Sequence, residues 1–118
     1  MSLESIRQID GLDVEQGLKN CMDDEDLYRS VLEMYVTQLQ GNLPELAEMF
    51  QAQDWSAYGR TCHAIKGASA SVGAINIMSL SATLEAAGRD SDDSLIRQQH
   101  DVYSEQLQST IDELTASL

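Results

Sequence analysis

The sequence predicts an all-α fold: an antiparallel, up-down four-helix bundle with a short N-terminal helical segment. Three observations lead there. Leu, Ala, Glu, Gln and Met are plentiful, Pro44 is the single proline, and runs of β-branched residues are missing. That composition favours helices over strands. Apolar residues recur in steps of three and four along most of the chain, the period of one helix face. The breaks between these stripes are short and rich in aspartate, a residue that caps helix N-termini, and short links join antiparallel neighbours.

A chain of 118 residues is expected to fold as one domain, with 1–22 as lead-in and 23–117 as the bundle. In the lead-in, Leu12, Leu18 and Met22 are the expected anchors. Asp23 and Asp24 then supply a cap, and Glu25 and Asp26 fill a first turn where the helix dipole favours acids. The stripe Leu32, Val36, Leu39, Leu43, Leu46, Phe50 keeps phase for about five turns. Gly41 and Pro44 lie inside it and would ordinarily mark a break. Because the phase survives them, one long helix over about 25–52, kinked near 40–44, is preferred to two separate helices. Asp54 caps the next helix, in which Trp55, Tyr58, Cys62, Ile65, Ser69 (or Ala68) and Val72 share a face. Gly73 is placed to close it in a left-handed conformation. Ile77, Leu80, Leu84 and Ala87 mark a further helix ending at Gly88. Asp92 and Asp93 open the last one, with Ile96, Tyr103, Leu107, Thr110 (or Ile111) and Leu114 on one face.

Charge and motif content exclude several classes of function. A net charge of −13 argues against nucleic acid, because phosphate contacts need a basic face. No run approaches the ~18 apolar residues of a membrane span. The N-terminus lacks a basic region followed by an apolar one, so no signal peptide is expected. Cys21 and Cys62 lie far apart without metal-ligand spacing and read as reduced cysteines of a cytoplasmic protein. Glycine-rich phosphate loops and nucleotide-binding motifs are missing, so phosphorylation from ATP by the chain itself is not expected.

One segment, Thr61 to Ala74, carries chemistry. It holds one of two histidines, His63, and one of two lysines, Lys66. On a wheel at ~100° per residue the apolar centre falls between Cys62 and Ile65, and His63 lies well over 90° away, facing outward. Gly59 and Gly67 bracket it at i−4 and i+4. Each interior glycine costs ~1 kcal/mol relative to alanine, and here the pair would leave the imidazole unshielded. Arg60 and Lys66 sit at i−3 and i+3. Two cations beside the ring favour the neutral imidazole, whose free lone pair is a nucleophile, and the same cations would stabilise an anion placed on it. A phosphoryl group fits best. Singly, each feature has an ordinary explanation: a solvated histidine, close helix packing, exposed basic residues. Their conjunction on an acidic chain favours function. His100, next to Asp101 with no clearing around it, reads as structural or solvated.

These residues resemble the histidine-containing phosphotransfer (HPt) family, whose motif runs His-x-(Leu/Ile)-Lys-Gly-x-Ser and then Gly-Ala. Here it is His63, Ile65, Lys66, Gly67, Ser69, Gly73 and Ala74. Leu84-Glu85 and Gly88-Arg89 resemble the family's downstream ending, the acidic run 23–26 its cap before the long helix, and Asp54-Trp55 the start of its histidine-bearing helix. The likeness covers roughly residues 10–115.

The resemblance implies that His63 is phosphorylated, through Nε2, that Lys66 supports the phosphoryl oxygens, and that Gly67 clears space for a partner. It also implies that Glu85, where the family often carries Gln or Glu, holds the imidazole; a carboxylate there would accept from Nδ1–H and leave Nε2 free. Arg60 is no motif position, and charge support from it rests on spacing alone. The implied activity is that of a phosphocarrier rather than an enzyme, a monomer exchanging phosphate with response-regulator receiver domains or a hybrid sensor kinase. No intrinsic cofactor is expected; Mg²⁺ would belong to the receiver. Three alternatives stand beside it: the phosphoacceptor domain of a chemotaxis-type kinase, an interaction bundle whose histidine is never phosphorylated, and a metal site on Cys62 and His63. The last is weak, because adjacent helical residues point ~100° apart.

Overall fold

Four aspartates divide the chain. Asp13, Asp24, Asp54 and Asp92 each accept a hydrogen bond from the backbone N–H three residues on, at 3.1–3.2 Å, satisfying a donor that the helix cannot satisfy itself. The structure, a computed structural model, describes residues 3–118. Its helices are α1 (Glu4–Arg7), α2 (Val14–Asn20), α3 (Glu25–Ala52), α4 (Trp55–Val72), α5 (Ile75–Arg89) and α6 (Asp93–Ser117). No strand occurs among the described residues.

The links are two or three residues long, at 53–54, 73–74 and 90–92, and each turns the chain back on itself. Gln53 (φ 55°), Gly73 (φ 83°) and Ser91 (φ 53°) take left-handed conformations there. α3 packs on α4 and α6, and α5 packs on α4 and α6, which closes an antiparallel four-helix bundle. α3 is a single helix of 28 residues. Gly41 and Pro44 both lie on its exposed side, so they interrupt no core contact, and the two-helix alternative does not hold.

The core is apolar with a polar grain. Leu32, Leu39, Leu46, Ile65, Leu84, Ile96, Leu107 and Leu114 are fully buried, as are Tyr28, Tyr58 and Tyr103. Each buried tyrosine hydroxyl finds a partner: Tyr28 donates to the Val72 carbonyl at 2.8 Å, and Tyr35, Tyr58 and Tyr103 pair with Ser69, His100 and Ser81 at 2.6–2.7 Å. These contacts satisfy groups that would be costly to bury alone. Burial pushes the Tyr35 hydroxyl up to about 12, so it stays protonated. Of the two readings of His100, structural or solvated, the structural one holds: it is buried and stacked on Phe50 with ring centres 4.0 Å apart.

Three expectations need correction. Met22 anchors nothing; it is 84% exposed with φ 55°, and Leu3, Ile6, Ile9, Val14 and Cys21 are buried in the lead-in instead. Gly88 does not end its helix, which continues through Arg89. It is a contact residue, buried where α5 crosses α4. Asp24 alone caps α3, while Asp23 turns left-handed before it.

The lead-in is tied to the end of α4. The Asp13 N–H donates to the Gly73 carbonyl at 2.7 Å, and the Ile75 N–H to the Gly11 carbonyl at 2.9 Å. The Asn20 amide donates to the Ser71 and Ala70 carbonyls at 3.1 and 3.4 Å. Carbonyls that a helix C-terminus leaves open are thereby filled from outside the bundle.

Candidate functional site

α4 turns Cys62, Ile65, Ser69 and Val72 inward, and the same helical period turns His63 outward. The His63 side chain is 67% exposed. On one side lies Gly67, where an added Cβ would meet nothing within 4 Å. That position is the clearing anticipated from its spacing.

Gly59 has a different role from the one expected. It is buried, and a Cβ there would lie 3.2 Å from the Glu85 carbonyl and 3.3 Å from the Gly88 Cα. Its missing side chain lets α5 approach, so the space beside the ring on this side is a groove shared by two helices. The approach has a chemical consequence, because it brings Glu85 of α5 to His63. Nδ1 of His63 stands 2.7 Å from Glu85 Oε2. A carboxylate can only accept, so Nδ1 carries the proton and donates. In the neutral ring the lone pair is then on Nε2.

The second Glu85 oxygen, Oε1, holds Lys66 Nζ at 2.6 Å. Lys66 chiefly, and His63 after it, hold the Glu85 carboxyl below the ordinary glutamate range, against a small opposing effect of burial. The expected crowding of the ring by two free cations is therefore revised. Lys66 is matched by a carboxylate, and Arg60 turns back one helical turn to donate to Ser56 Oγ at 2.8 Å. The structure joins His63, Lys66 and Glu85 by direct contact, leaves Gly67 open beside them, and gives Arg60 no contact with the ring.

Arg60 instead lines a groove of about 530 Å³ between α4 and α5, together with Ser56, Gly59, His63, Glu85 and Arg89. Spacing along one helix could not reveal it, since it needs both helices. The only sequence signal was a pair of small residues, Gly59 and Gly88, one on each.

Cys62 points into the core. Burial above all, with a smaller push from the Glu85 charge and against a hydrogen bond from Tyr103, raises its thiol to about 12. It is no thiolate at neutral pH and diverges from the outward His63, so the Cys62–His63 metal site has no geometry to support it. Among the described residues no group of three or more His, Cys, Asp and Glu is placed to hold a metal ion, and no helix is long and apolar enough to cross a membrane.

A pinned Nδ1–H, an exposed Nε2, an adjacent lysine and an open glycine suit a nucleophile that takes up a bulky anionic group from another molecule. A family model for the Hpt domain matches residues 30–117. The match takes in nearly all of α3 and the whole of α4, α5 and α6, with His63, Lys66, Gly67 and Glu85 inside it. No curated protein and no solved structure matches the chain. The matched span is well over half of the 118 residues, and the chain belongs to the Hpt domain family, the histidine phosphotransfer modules of two-component signalling.

Proposed function

We propose that the protein is an intermediate in a multistep phosphorelay, carrying a phosphoryl group on His63 between aspartates of receiver domains. The observation that carries this is the hold on one ring: Nδ1–H of the exposed His63 is engaged by Glu85, which leaves Nε2 for the phosphoryl group, while Gly67 one turn on faces open space.

In the transfer, the Nε2 lone pair attacks the phosphorus of a receiver's phospho-aspartate. The N–P bond forms as the acyl P–O bond breaks, and the aspartate leaves as a carboxylate. The positive charge gained by the imidazole is met by Glu85, already in contact. Lys66, one turn along α4, has its ammonium within reach of the incoming phosphoryl oxygens once it swings from Glu85 Oε1. The reverse sequence discharges the group onto a second receiver. Phosphoryl transfer depends chiefly on positioning and on stabilising charge; this chain supplies a fixed nucleophile and one cation, and the receiver supplies the Mg²⁺. Gly67 admits the receiver's active-site rim. The protein would act as a monomer in the cytoplasm; its exposed large apolar residues include Met22 in the link before α3, Met34 on α3 and Val102 on α6.

The test is incubation with a phosphorylated receiver domain, followed by assay for acid-labile, base-stable phosphate. Wild type should acquire it and His63→Gln should not. Labelling by a kinase domain and ATP but by no phospho-receiver would favour the chemotaxis-type alternative, and unimpaired signalling by His63→Gln would favour the interaction bundle.

A further inference from the structure

The α4–α5 groove contains more charge than the transfer step uses. The chain has seven basic residues against 20 acidic ones, yet three of the seven, Arg60, Lys66 and Arg89, flank His63. Lys66 is matched by Glu85. Elsewhere, Arg7 meets Glu15 at 2.9 Å, and Arg97 meets Asp93 at 3.5 Å while lying over the Trp55 ring. The two arginines of the groove are differently placed. Arg60 bonds the neutral Ser56 hydroxyl. Arg89 is 70% exposed and lies 3.9 Å from an equally exposed Asp90, a kind of surface pair that contributes little.

Position also matters. Ser56 precedes His63 by seven residues, roughly 10 Å along the helix axis at ~1.5 Å per residue. Arg60 is drawn toward Ser56, back along α4 from His63. The close Gly59–Gly88 crossing makes this region a groove instead of a ridge. Because His63 lines it too, an occupant of the groove lies beside the exchanging phosphate.

We infer, building on the phosphotransfer reading above, that Arg60 and Arg89 form a partner-selecting contact: an acidic segment of the receiver, separate from its phosphorylated aspartate, seats in the α4–α5 groove. A protein of net charge −13 repels acidic partners at long range, and a local pair of cations at the docking edge offsets this. Charges at such an edge act on association rate and partner choice more than on chemistry.

The experiment compares wild type, Arg60→Gln/Arg89→Gln, and a control, Arg7→Gln/Lys19→Gln, which removes two charges from the lead-in. Phosphotransfer is followed from a panel of phosphorylated receiver domains over a range of receiver and salt concentrations, with helical content checked by circular dichroism. Binding of the unphosphorylated receivers is measured separately in a His63→Gln background, where no transfer occurs. The groove variant should lose about tenfold in kcat/KM at low salt, through KM, with kcat within about twofold and a flatter salt dependence. The binding constant in the His63→Gln background should weaken in parallel, most for the receivers with acidic docking faces. Equal effects of both charge pairs, or a fall in kcat with KM unchanged, would overturn the inference. Failure of wild type to accept phosphate from any receiver would instead defeat the phosphorelay itself, and the binding arm reports on the arginines even then.

Discussion

Gly59 of α4 and Gly88 of α5 cross so closely that a Cβ on Gly88 would lie 2.7 Å from the Gly59 Cα. The neighbours that such a Cβ meets are backbone atoms, including the Trp55 carbonyl, so a side chain cannot be accommodated by a rotamer change. Gly88→Ala is expected to push α5 outward and destabilise the protein by ~1–3 kcal/mol. It should also lengthen the His63 Nδ1–Glu85 contact. Urea denaturation reads the first effect, and imidazole ¹⁵N shifts read the second as a mixed tautomer population. A variant as stable as wild type with unchanged shifts would mean that the crossing does not position Glu85.

Gly67 makes the opposite prediction. Its α-helical backbone faces open space, so Gly67→Ala should stabilise the fold by ~1 kcal/mol through helix propensity. A longer side chain, as in Gly67→Gln, should leave stability at or above wild type while slowing phosphotransfer from a receiver at least tenfold, a loss of about 1.4 kcal/mol in transition-state binding. Thermal melts and transfer rates on the same samples decide it.

Ser69, though part of the recognisable motif, is buried and paired with Tyr35 at 2.6 Å. Tyr35→Phe leaves its hydroxyl without that partner and should cost ~1–3 kcal/mol. Adding Ser69→Ala should recover part of the loss, which a double-mutant cycle measures. Strict additivity of the two changes would show that the pair is not coupled.

His100 gives the fold a pH dependence. Burial disfavours its imidazolium and lowers its pKa below the ordinary histidine range, against a smaller opposing effect of Asp101. The unfolded chain therefore takes up this proton first. Its contribution is absent above the ordinary histidine range, and stability is lost as pH falls through that range toward the lower folded value. His100→Gln should be less stable than wild type near pH 7, having lost the Phe50 stack, but its stability should fall less between about pH 7 and pH 5. Equal slopes for the two proteins would exclude His100 as the source.

The helices were legible because their determinants are local. Asp24, Asp54 and Asp92 each sit one residue before a helix, and Leu32 to Phe50 hold one phase across Gly41 and Pro44. His63, Lys66 and Gly67 were legible for the same reason: a wheel suffices to turn one outward and leave another open. Glu85 lies 22 residues from His63, and its place came from family likeness, not from spacing. What one helix cannot encode was missed. Gly59 looked like a clearing because its neighbour across the crossing, Gly88, belongs to another helix. Lys66 and Arg60 looked like equal guards of the ring until Glu85 and Ser56 divided them. Met22 fits a helical stripe, but Cys21 takes the buried position beside it.

The ties between the lead-in and the end of α4 separate two boundaries that are easily treated as one. The family-model match begins at residue 30, yet Asp13, Asn20 and Tyr28 supply hydrogen bonds to Gly73, Ser71, Ala70 and Val72. A fragment cut at the edge of that match would keep every residue of the phosphate site and strip the far end of the helix that bears it. The span matched by the family model is therefore shorter than the span that holds α4 in place, and the helix presenting His63 is anchored partly by residues outside that match.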